Sequence, residues 1–269
     1  MLPRRAIVVT FDDGYADNLS NATPLLERFH IPATVFVTSG YVGSRREFWW
    51  DELEQLLLQP RELPTDLQLT IGQKIYHWQL TERVQGGAEE SRQEVSQKAW
   101  EGNPGSRHHL YYAVWRVLQP LTEDERRPVL DAISAWAGVE PTLRGSHRPL
   151  EERELQTLAL SDMIEIGAHT VTHPRLSVHS LAIQAEEIRA SKTQLEKWLD
   201  RPVTSFAYPY GDFLQETPAL VRDAGFACAC TTREGSVRGN TNCLELPRVQ
   251  VGDWDGDEFR KRLREWFRR

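Results

Sequence analysis

The chain is poor in cysteine and methionine. Its 269 residues include two methionines and only three cysteines, Cys228, Cys230 and Cys243, an odd number that excludes a fully paired disulfide framework. A structural Zn²⁺ site takes four ligands, and no histidine follows His179, so we expect buried or half-buried free thiols rather than a cysteine-based metal site. This use of cysteine fits a reducing cytoplasm.

A basic excess and a long apolar run are also missing. The formal net charge is -7, which gives no reason to expect binding to nucleic acid or to an anionic membrane. No apolar run approaches the roughly 18 residues that cross a bilayer. The apolar stretch before Asp12 is too short for a signal peptide. We therefore expect a cytoplasmic protein without a transmembrane segment.

The hydrophobic pattern that is present predicts a parallel α/β fold. Strand-like runs alternate with amphipathic helical runs at both ends of the chain, and this alternation is typical of parallel sheets. The predicted strands are residues 5–11, 31–40, 163–170, 203–211 and 227–232. The predicted helices are residues 16–31, 181–200, 216–226 and 257–269, the last of them basic and amphipathic.

The alternation breaks down between residue 44 and about residue 147. Residues 47–58 and two segments separated near Pro120 predict helices, whereas residues 67–81 predict a hairpin. Residues 86–109 are polar and contain several glycines, which indicates a surface stretch or a loosely packed helix. We interpret the chain, residues 1–269, as one α/β domain interrupted by a mostly helical insertion at about 44–147.

Polar residues with metal-ligand chemistry follow two of the predicted strands. Asp12 and Asp13 end the strand in "VVTFDDGY", and His169 and His173 follow the strand in "EIGAHTVTHP". The carboxyl ends of parallel strands meet at one edge of a sheet. We therefore expect one aspartate to complete a metal triad with the histidines and the other to act as a free base. The alternative is a solvated turn with surface histidines.

Three motifs together show a resemblance to a known family. "TFDDGY", "HTVTHP" and "FAYPYG" occur in the order found in the polysaccharide deacetylase family, the NodB-homology or carbohydrate esterase 4 group. The resemblance covers residues 6–42 and 148–251. It implies a distorted (β/α) barrel of the NodB-homology type, with the active site at the carboxyl ends of the strands.

The resemblance also implies roles for individual residues. Asp13, His169 and His173 would hold one divalent metal ion, with Zn²⁺ the first choice and Co²⁺, Ni²⁺ or Fe²⁺ as alternatives. Asp12 would be the general base toward the attacking water, and the backbone N–H of Tyr210 would stabilise the oxyanion.

The sequence departs from the family pattern at two places. Ala207 stands where the family has an arginine that orients the catalytic aspartate. The segment "LELPRVQVGDW" contains Arg248 and no histidine, although the family has a histidine there as general acid. Arg248 would either supply the missing guanidinium or be a surface arginine. The proton donor to the leaving group stays open. Asp253, a metal-bound water and the base returning its proton are the candidates.

Several ring-bearing residues near the predicted strand ends are candidates for binding a sugar. Stacking on a sugar face and packing in the core are the two alternatives for each. These candidates are Tyr15, Trp49, Trp50, Tyr208, Pro209 and Trp254. His147, near the end of the insertion, is a weaker candidate.

The function implied by the resemblance is removal of an N-acetyl group from a hexosamine in a glycan or glycan precursor. The expected partner is therefore an acetylated sugar or glycan, and the oligomeric state is open. An O-acetyl (xylan-type) esterase and another C–N hydrolase acting on amides or ureides are the enzymatic alternatives. A silent carbohydrate-binding domain is the alternative of another class, but such a domain needs no free base beside a metal triad.

Overall fold

The computed structural model describes residues 6–81 and 103–267. Its strands are β1 (Val9–Phe11), β2 (Ala33–Val37), β3 (Asp66–Ile71), β4 (Lys74–Gln79), β5 (Ile164–Ala168), β6 (Ser205–Ala207) and β7 (Cys228–Cys230). Its α-helices are α1 (Thr23–Phe29), α2 (Trp49–Leu57), α3 (Arg107–Leu118), α4 (Glu123–Ala137), α5 (Glu152–Ala159), α6 (Leu181–Leu199), α7 (Thr217–Asp223) and α8 (Gly256–Trp266). The described residues form two units, one within residues 1–43 and 150–269 and one within residues 44–149.

The first unit is built on a five-stranded parallel sheet. The strand order is β1-β2-β5-β6-β7, and every neighbouring pair is parallel. Val37 at the end of β2 lies opposite Ala168 at the end of β5, and Ala207 at the end of β6 lies opposite Cys230. All five carboxyl ends therefore lie along one edge. The predicted parallel α/β arrangement is confirmed.

A large apolar cluster joins the sheet to its helices. Helix α6 contributes Ile188 and Leu195, both fully buried, and it begins after Ser180, whose hydroxyl accepts the N–H of Ile183. The strands supply β-branched and aromatic residues, as expected for a sheet covered by helices. The main members of this cluster are Val35, Val37, Leu155, Leu158, Ile166, Ile188, Leu195, Phe206, Val221 and Ala229. Packing in this core holds the strands, and therefore their carboxyl ends, in place.

The second unit contains the elements predicted for the insertion. Helix α2, the antiparallel hairpin β3–β4 and the helix pair α3–α4 confirm three of the sequence predictions. Gly72, with φ of 58°, allows the tight hairpin turn. Helix α4 begins with a capping box between Thr122 and Glu125. Most of the polar stretch at residues 86–109 lies outside the described residues.

Two expectations from the composition can be compared with the structure. All three cysteines lie within the described residues and are free thiols. Cys230 is buried and Cys228 is half-buried, as predicted, but the prediction is wrong for Cys243, which is exposed because it lies in a surface turn. Within residues 6–81 and 103–267, no helix combines the length and apolar character needed to cross a bilayer.

Gly167, in the middle strand of the sheet, gives a test of the core. A Cβ atom at this position would lie 2.4 Å from Cδ1 of Phe36 and 2.7 Å from Oγ of Ser205. We expect Gly167→Ala to lower the free energy of unfolding by about 1–3 kcal/mol, because an added methyl group must displace packed neighbours. Urea unfolding measures this change.

Gly239→Ala is the matched control in the same unit, because a Cβ atom there meets no atom within 4 Å. We expect it to change the free energy of unfolding by less than about 0.5 kcal/mol. Equal unfolding midpoints for the two variants would contradict the packing argument.

Candidate active site

The polar motif residues follow one another along the carboxyl edge of the sheet. The backbone N–H of Thr38, after β2, donates to the carbonyl of Asp13 (3.0 Å), and the N–H of His169, after β5, donates to the carbonyl of Val37 (2.9 Å). The N–H of Tyr208, after β6, donates to the carbonyl of Cys230 (3.1 Å). These bonds extend the sheet register past the strands, so the motif residues become neighbours.

Asp13, His169 and His173 converge on one point. Nε2 of His169 lies 3.5 Å from Oδ1 of Asp13, and Nε2 of His173 lies 3.3 Å from the same oxygen. The two imidazole rings are buried, whereas the Asp13 side chain is 24% exposed. One ligand atom from each residue lies within 4.8 Å of the other two. The group therefore has the size of a single-ion site with one open side.

The protonation state of His169 indicates that a cation fits between its Nε2 and Oδ1 of Asp13. Its Nδ1 lies 2.8 Å from the carbonyl oxygen of Ala207, which can only accept, so Nδ1 carries the proton. Burial holds the pKa of His169 below its usual value, which keeps the ring neutral near pH 7. Nε2 then presents a lone pair to a carboxylate oxygen at 3.5 Å.

Two electron-pair donors facing each other are stabilised by a cation between them. One carboxylate oxygen and two imidazole nitrogens are typical ligands for Zn²⁺ and its first-row neighbours, and three protein ligands leave positions for water and substrate. The residues present therefore fit the divalent metal that the sequence resemblance implies.

The backbone around this group is strained. Left-handed φ values are rare and costly for residues other than glycine, unless they end a helix. Four such residues lie in the site motifs: Asp13 (φ 73°), Thr170 (φ 64°), His173 (φ 56°) and Tyr210 (φ 58°). The other two among the described residues, His30 and Asp200, end helices α1 and α6. With this left-handed turn, Asp13 faces the two histidines while the adjacent Asp12 pairs with Arg248.

The segment between the two histidines, residues 169–173, is here called the ligand loop. The N–H groups of Ser39 and Gly40 donate to the carbonyls of Thr170 (3.1 Å) and Val171 (2.9 Å). These bonds fix one side of the loop to the turn that follows β2.

Glu187, on helix α6, holds the other side of the ligand loop. Its Oε2 accepts the N–H groups of Val171 (2.8 Å) and Thr172 (2.9 Å), and its Oε1 accepts the Thr172 hydroxyl (2.7 Å). Glu187 is not recognisable in the sequence, because one glutamate among many charged residues on a helix carries no distinguishing signal.

Asp12 forms a two-pronged ion pair with Arg248. Nη1 of Arg248 donates to Oδ1 of Asp12 (2.7 Å) and Nη2 donates to Oδ2 (2.8 Å), which is the fork geometry of a strong charge-assisted pair. The guanidinium is anchored by the carbonyl of Thr231 (2.9 Å from Nε) and the hydroxyl of Thr10 (3.1 Å from Nη1). The structure thus places a guanidinium against Asp12, although Ala207 stands at the usual position of that arginine.

The charges around Asp12 favour its ionised form. Burial raises the pKa of Asp12, but His169 and Arg248 lower it, and the net shift is downward. Since His169 is neutral near pH 7, Arg248 is the lasting positive partner. Burial also raises the pKa of the adjacent Cys230 thiol to about 11, so this thiol stays neutral and does not compete for Arg248.

The predicted site residues of the "AYPYG" motif lie in different surroundings. Tyr210 lies in a left-handed turn, with its ring centroid 4.6 Å from that of His173. Pro209 is buried beside it. Tyr208 has no exposed surface, and its hydroxyl donates to the carbonyl of Leu244 (2.9 Å). The sugar-stacking prediction is corrected for Tyr208, because its ring is part of the core.

The other ring-bearing candidates differ in exposure. Trp49 is fully buried in the core of the second unit, so it too is corrected to a packing residue. Trp50, in the same unit, is half-buried and stacks on Phe48 (4.9 Å between centroids). Tyr15 and Trp254 are half-buried, and Trp254 lies beside the guanidinium of Arg262 (4.3 Å). Asp253, the candidate proton donor, is exposed.

A second group of possible metal ligands lies in the second unit. Asp51, Glu54 and His147 offer ligand atoms within 4.8 Å of one another. Nη1 of Arg144 lies 3.2 Å from Oε2 of Glu54 and already balances that carboxylate. We assign no role to this group.

Comparison with known proteins identifies the family. The family model described as Polysaccharide deacetylase matches residues 2–64 and 115–229, which is more than half of the chain. The chain therefore belongs to the polysaccharide deacetylase family, the NodB-homology group of carbohydrate esterase family 4. Arg248 lies beyond the matched residues.

A curated relative matches over a short segment only. YxkH of Bacillus subtilis (strain 168), whose name includes the words polysaccharide deacetylase, is 29% identical over 52 residues. That segment is 19% of this chain and 19% of the relative, so the likeness does not extend to the whole protein.

Solved structures share the fold at low sequence identity. The Streptococcus pyogenes deacetylase PplD gives a TM-score of 0.51 at 18% identity, covering 93% of this chain and 67% of that one. IcaB from Ammonifex degensii gives a TM-score of 0.54 at 17% identity, covering 100% of this chain and 75% of that one. A de-N-acetylase from Aggregatibacter actinomycetemcomitans gives a TM-score of 0.54 at 12% identity, covering 98% of this chain and 76% of that one. The expected distorted barrel is confirmed as a curled parallel half-barrel sheet with helices.

Proposed function

We propose that this protein is a metal-dependent deacetylase that hydrolyses N-acetyl groups of a hexosamine-containing glycan or glycan precursor. One observation supports this most directly. The carboxylate of Asp12 is fixed by Arg248 next to a metal-ligand group formed by Asp13, His169 and His173. A domain that only binds carbohydrate has no use for an ionised base held beside three metal ligands.

The proposed mechanism assigns a role to each of these residues. A divalent metal held by Asp13, His169 and His173 would supply Lewis-acid polarisation of the acetyl carbonyl and of the attacking water. Asp12 would accept the proton of the water as it attacks the acetyl carbon, and would return that proton to the leaving nitrogen. The backbone N–H of Tyr210 would donate to the oxyanion. Water and the amide thus give acetate and a free amine.

The choice of an N-acetyl substrate draws on the relatives. The family is described as acting on polysaccharides, and the related structure from Aggregatibacter actinomycetemcomitans is described as a de-N-acetylase. For this chain the substrate is part of the proposal. The half-buried rings of Tyr15 and Trp254 are the candidates in the first unit for contact with a sugar.

The test is acetate release from a panel of acetylated carbohydrates. The panel contains N-acetylglucosamine oligomers, O-acetylated xylan and a simple aryl acetate, each assayed after chelation and after addition of Zn²⁺ or Co²⁺. We expect metal-dependent release from the N-acetyl substrates. Release from xylan alone would make the protein an esterase, and no release from any substrate by the metal-loaded protein would contradict the enzymatic proposal.

Arg248→Ala is predicted to lower kcat by about 10- to 100-fold. This is the effect expected from loss of a charge-assisted hydrogen bond that orients the base in the transition state. We expect Arg248→Lys to recover only part of the rate, because an ammonium group cannot form the same fork. Steady-state kinetics and metal analysis measure both effects, and the metal content should be unchanged.

The same variant should change the pH profile in a defined direction. Without Arg248, the burial that raises the pKa of Asp12 is less opposed, so this pKa rises. The base must be ionised to act, so the acidic limb of the pH–rate profile should move to higher pH. Arg233→Ala, which removes an exposed arginine paired with Glu245, is the matched control. A profile for Arg248→Ala that matches this control would contradict the assigned role.

A further inference from the structure

We propose that Glu187 is a positioning residue that shapes the ligand loop, residues 169–173, for metal binding. This inference rests on the proposed metal site and adds a residue to it. Glu187 does not contact the metal-ligand atoms, and it acts through the backbone between the two histidines.

The contacts of Glu187 form a clamp with three hydrogen bonds. One carboxylate oxygen accepts the consecutive N–H groups of Val171 and Thr172, and the other accepts the hydroxyl of Thr172. A carboxylate is well suited to this task, because it offers acceptor sites on both oxygens and no donor. Hydrogen bonds to an ionised acceptor are also stronger than neutral ones.

The ligand loop needs such a clamp because of its backbone conformation. Thr170 and His173, on either side of the clamped residues, both have left-handed φ values. Such conformations persist only where the surroundings determine them. If the loop relaxed at His173, the direction of the imidazole would change and its Nε2 would leave its place 3.3 Å from Asp13.

The clamp is attached to a rigid element. Glu187 precedes Ile188, which is fully buried in the core, and Ser191 and Leu195 on the same helix are also fully buried. On the opposite side of the loop, backbone N–H groups of Ser39 and Gly40 bind the carbonyls of Thr170 and Val171. The loop is thus held between the turn after β2 and helix α6.

The experiment measures Zn²⁺ affinity of the metal-free protein by competition with a chromophoric chelator. We expect Glu187→Ala to raise the Kd for Zn²⁺ by about 10- to 100-fold, as is typical when an outer-shell partner is removed. Thr172→Val, which removes only the hydroxyl bond, should raise Kd by about 2- to 10-fold. Glu186→Ala is the control, because Glu186 is exposed and pairs only with Arg189 in the described contacts, and it should leave Kd unchanged.

A positioning role also predicts a division between binding and turnover. At saturating Zn²⁺, the kcat of Glu187→Ala should be within a few-fold of that of the unaltered protein. A thermal unfolding curve of the same sample checks that the variant is folded. If Glu187→Ala does not fold, Glu187→Gln replaces it. Glutamine keeps one acceptor oxygen and loses the charge of the carboxylate, so we expect its Kd for Zn²⁺ to be about 2- to 10-fold above that of the unaltered protein. A Kd equal to that of Glu186→Ala would contradict the role of Glu187.

The outcomes separate this inference from the proposed function. If His173→Ala loses Zn²⁺ but the Glu187 variants bind it as tightly as Glu186→Ala, the role of Glu187 is wrong and the metal site stands. If His173→Ala binds Zn²⁺ as tightly as the unaltered protein, the metal site itself is wrong, and this inference fails with it.

Discussion

Asp12→Asn is expected to give a protein that still binds its metal ion but has lost turnover by about 10²- to 10⁴-fold. The amide of asparagine has nearly the shape of the carboxylate but cannot accept the proton of the attacking water. The proposed metal ligands are Asp13, His169 and His173, so the metal should stay. Metal analysis of the purified variant and acetate release under saturating metal measure the two effects independently.

Asp13→Asn is the matched variant, because it makes the same chemical change one residue away. We expect it mainly to weaken metal binding, since Oδ1 of Asp13 is the point on which both histidine Nε2 atoms converge. Its activity should therefore recover when the metal concentration is raised. If Asp12→Asn lost the metal and Asp13→Asn kept it, the roles of the two carboxylates would have to be exchanged.

His169→Ala and His173→Ala are each expected to lose both bound metal and activity. Each substitution removes one of the three proposed ligands, and two protein ligands do not hold Zn²⁺ in a typical catalytic site. The fold should survive, because both histidines follow the strands instead of lying in the main apolar cluster. Circular dichroism and metal analysis of the same samples distinguish loss of metal from loss of structure.

His173→Asn serves as a second variant at the strained position. Asparagine tolerates the left-handed backbone that His173 adopts, so this variant keeps the shape of the loop while removing the imidazole. Val178→Ala, at an exposed position in the same region, is a control that should keep both metal and activity. Full metal occupancy in either histidine variant would show that the ligand assignment is wrong.

The placement of the main site residues could be predicted because the relevant pattern is local. Apolar β-branched runs mark the parallel strands, and polar residues directly after them must lie at the carboxyl edge. Asp12, Asp13, His169 and His173 all follow from this rule. The hairpin at β3–β4 and the helix pair α3–α4 were equally predictable from periodicity and turn residues.

The remainder depends on tertiary packing that no local pattern records. Arg248 and Asp12 are 236 positions apart, and the strands next to them, β7 and β1, stand at opposite ends of the sheet order. Only the curl of the sheet brings the two residues together. Trp49 and Tyr208 carry rings suited to sugar stacking, yet both are fully buried, because the position of an aromatic residue near a strand end does not say which way its ring points. Glu187 is recognisable only when its three hydrogen bonds to the ligand loop are seen.

The left-handed residues of the site have a consequence for attempts to engineer the protein. Each non-glycine residue in this conformation costs of the order of 1–3 kcal/mol, and four of them surround the metal-ligand group. Directed evolution for heat resistance alone would therefore find gains at Asp13, Thr170, His173 and Tyr210. Gains at Asp13 or His173 would remove a proposed metal ligand, so a useful thermostabilisation screen on this fold must select for acetate release at the same time.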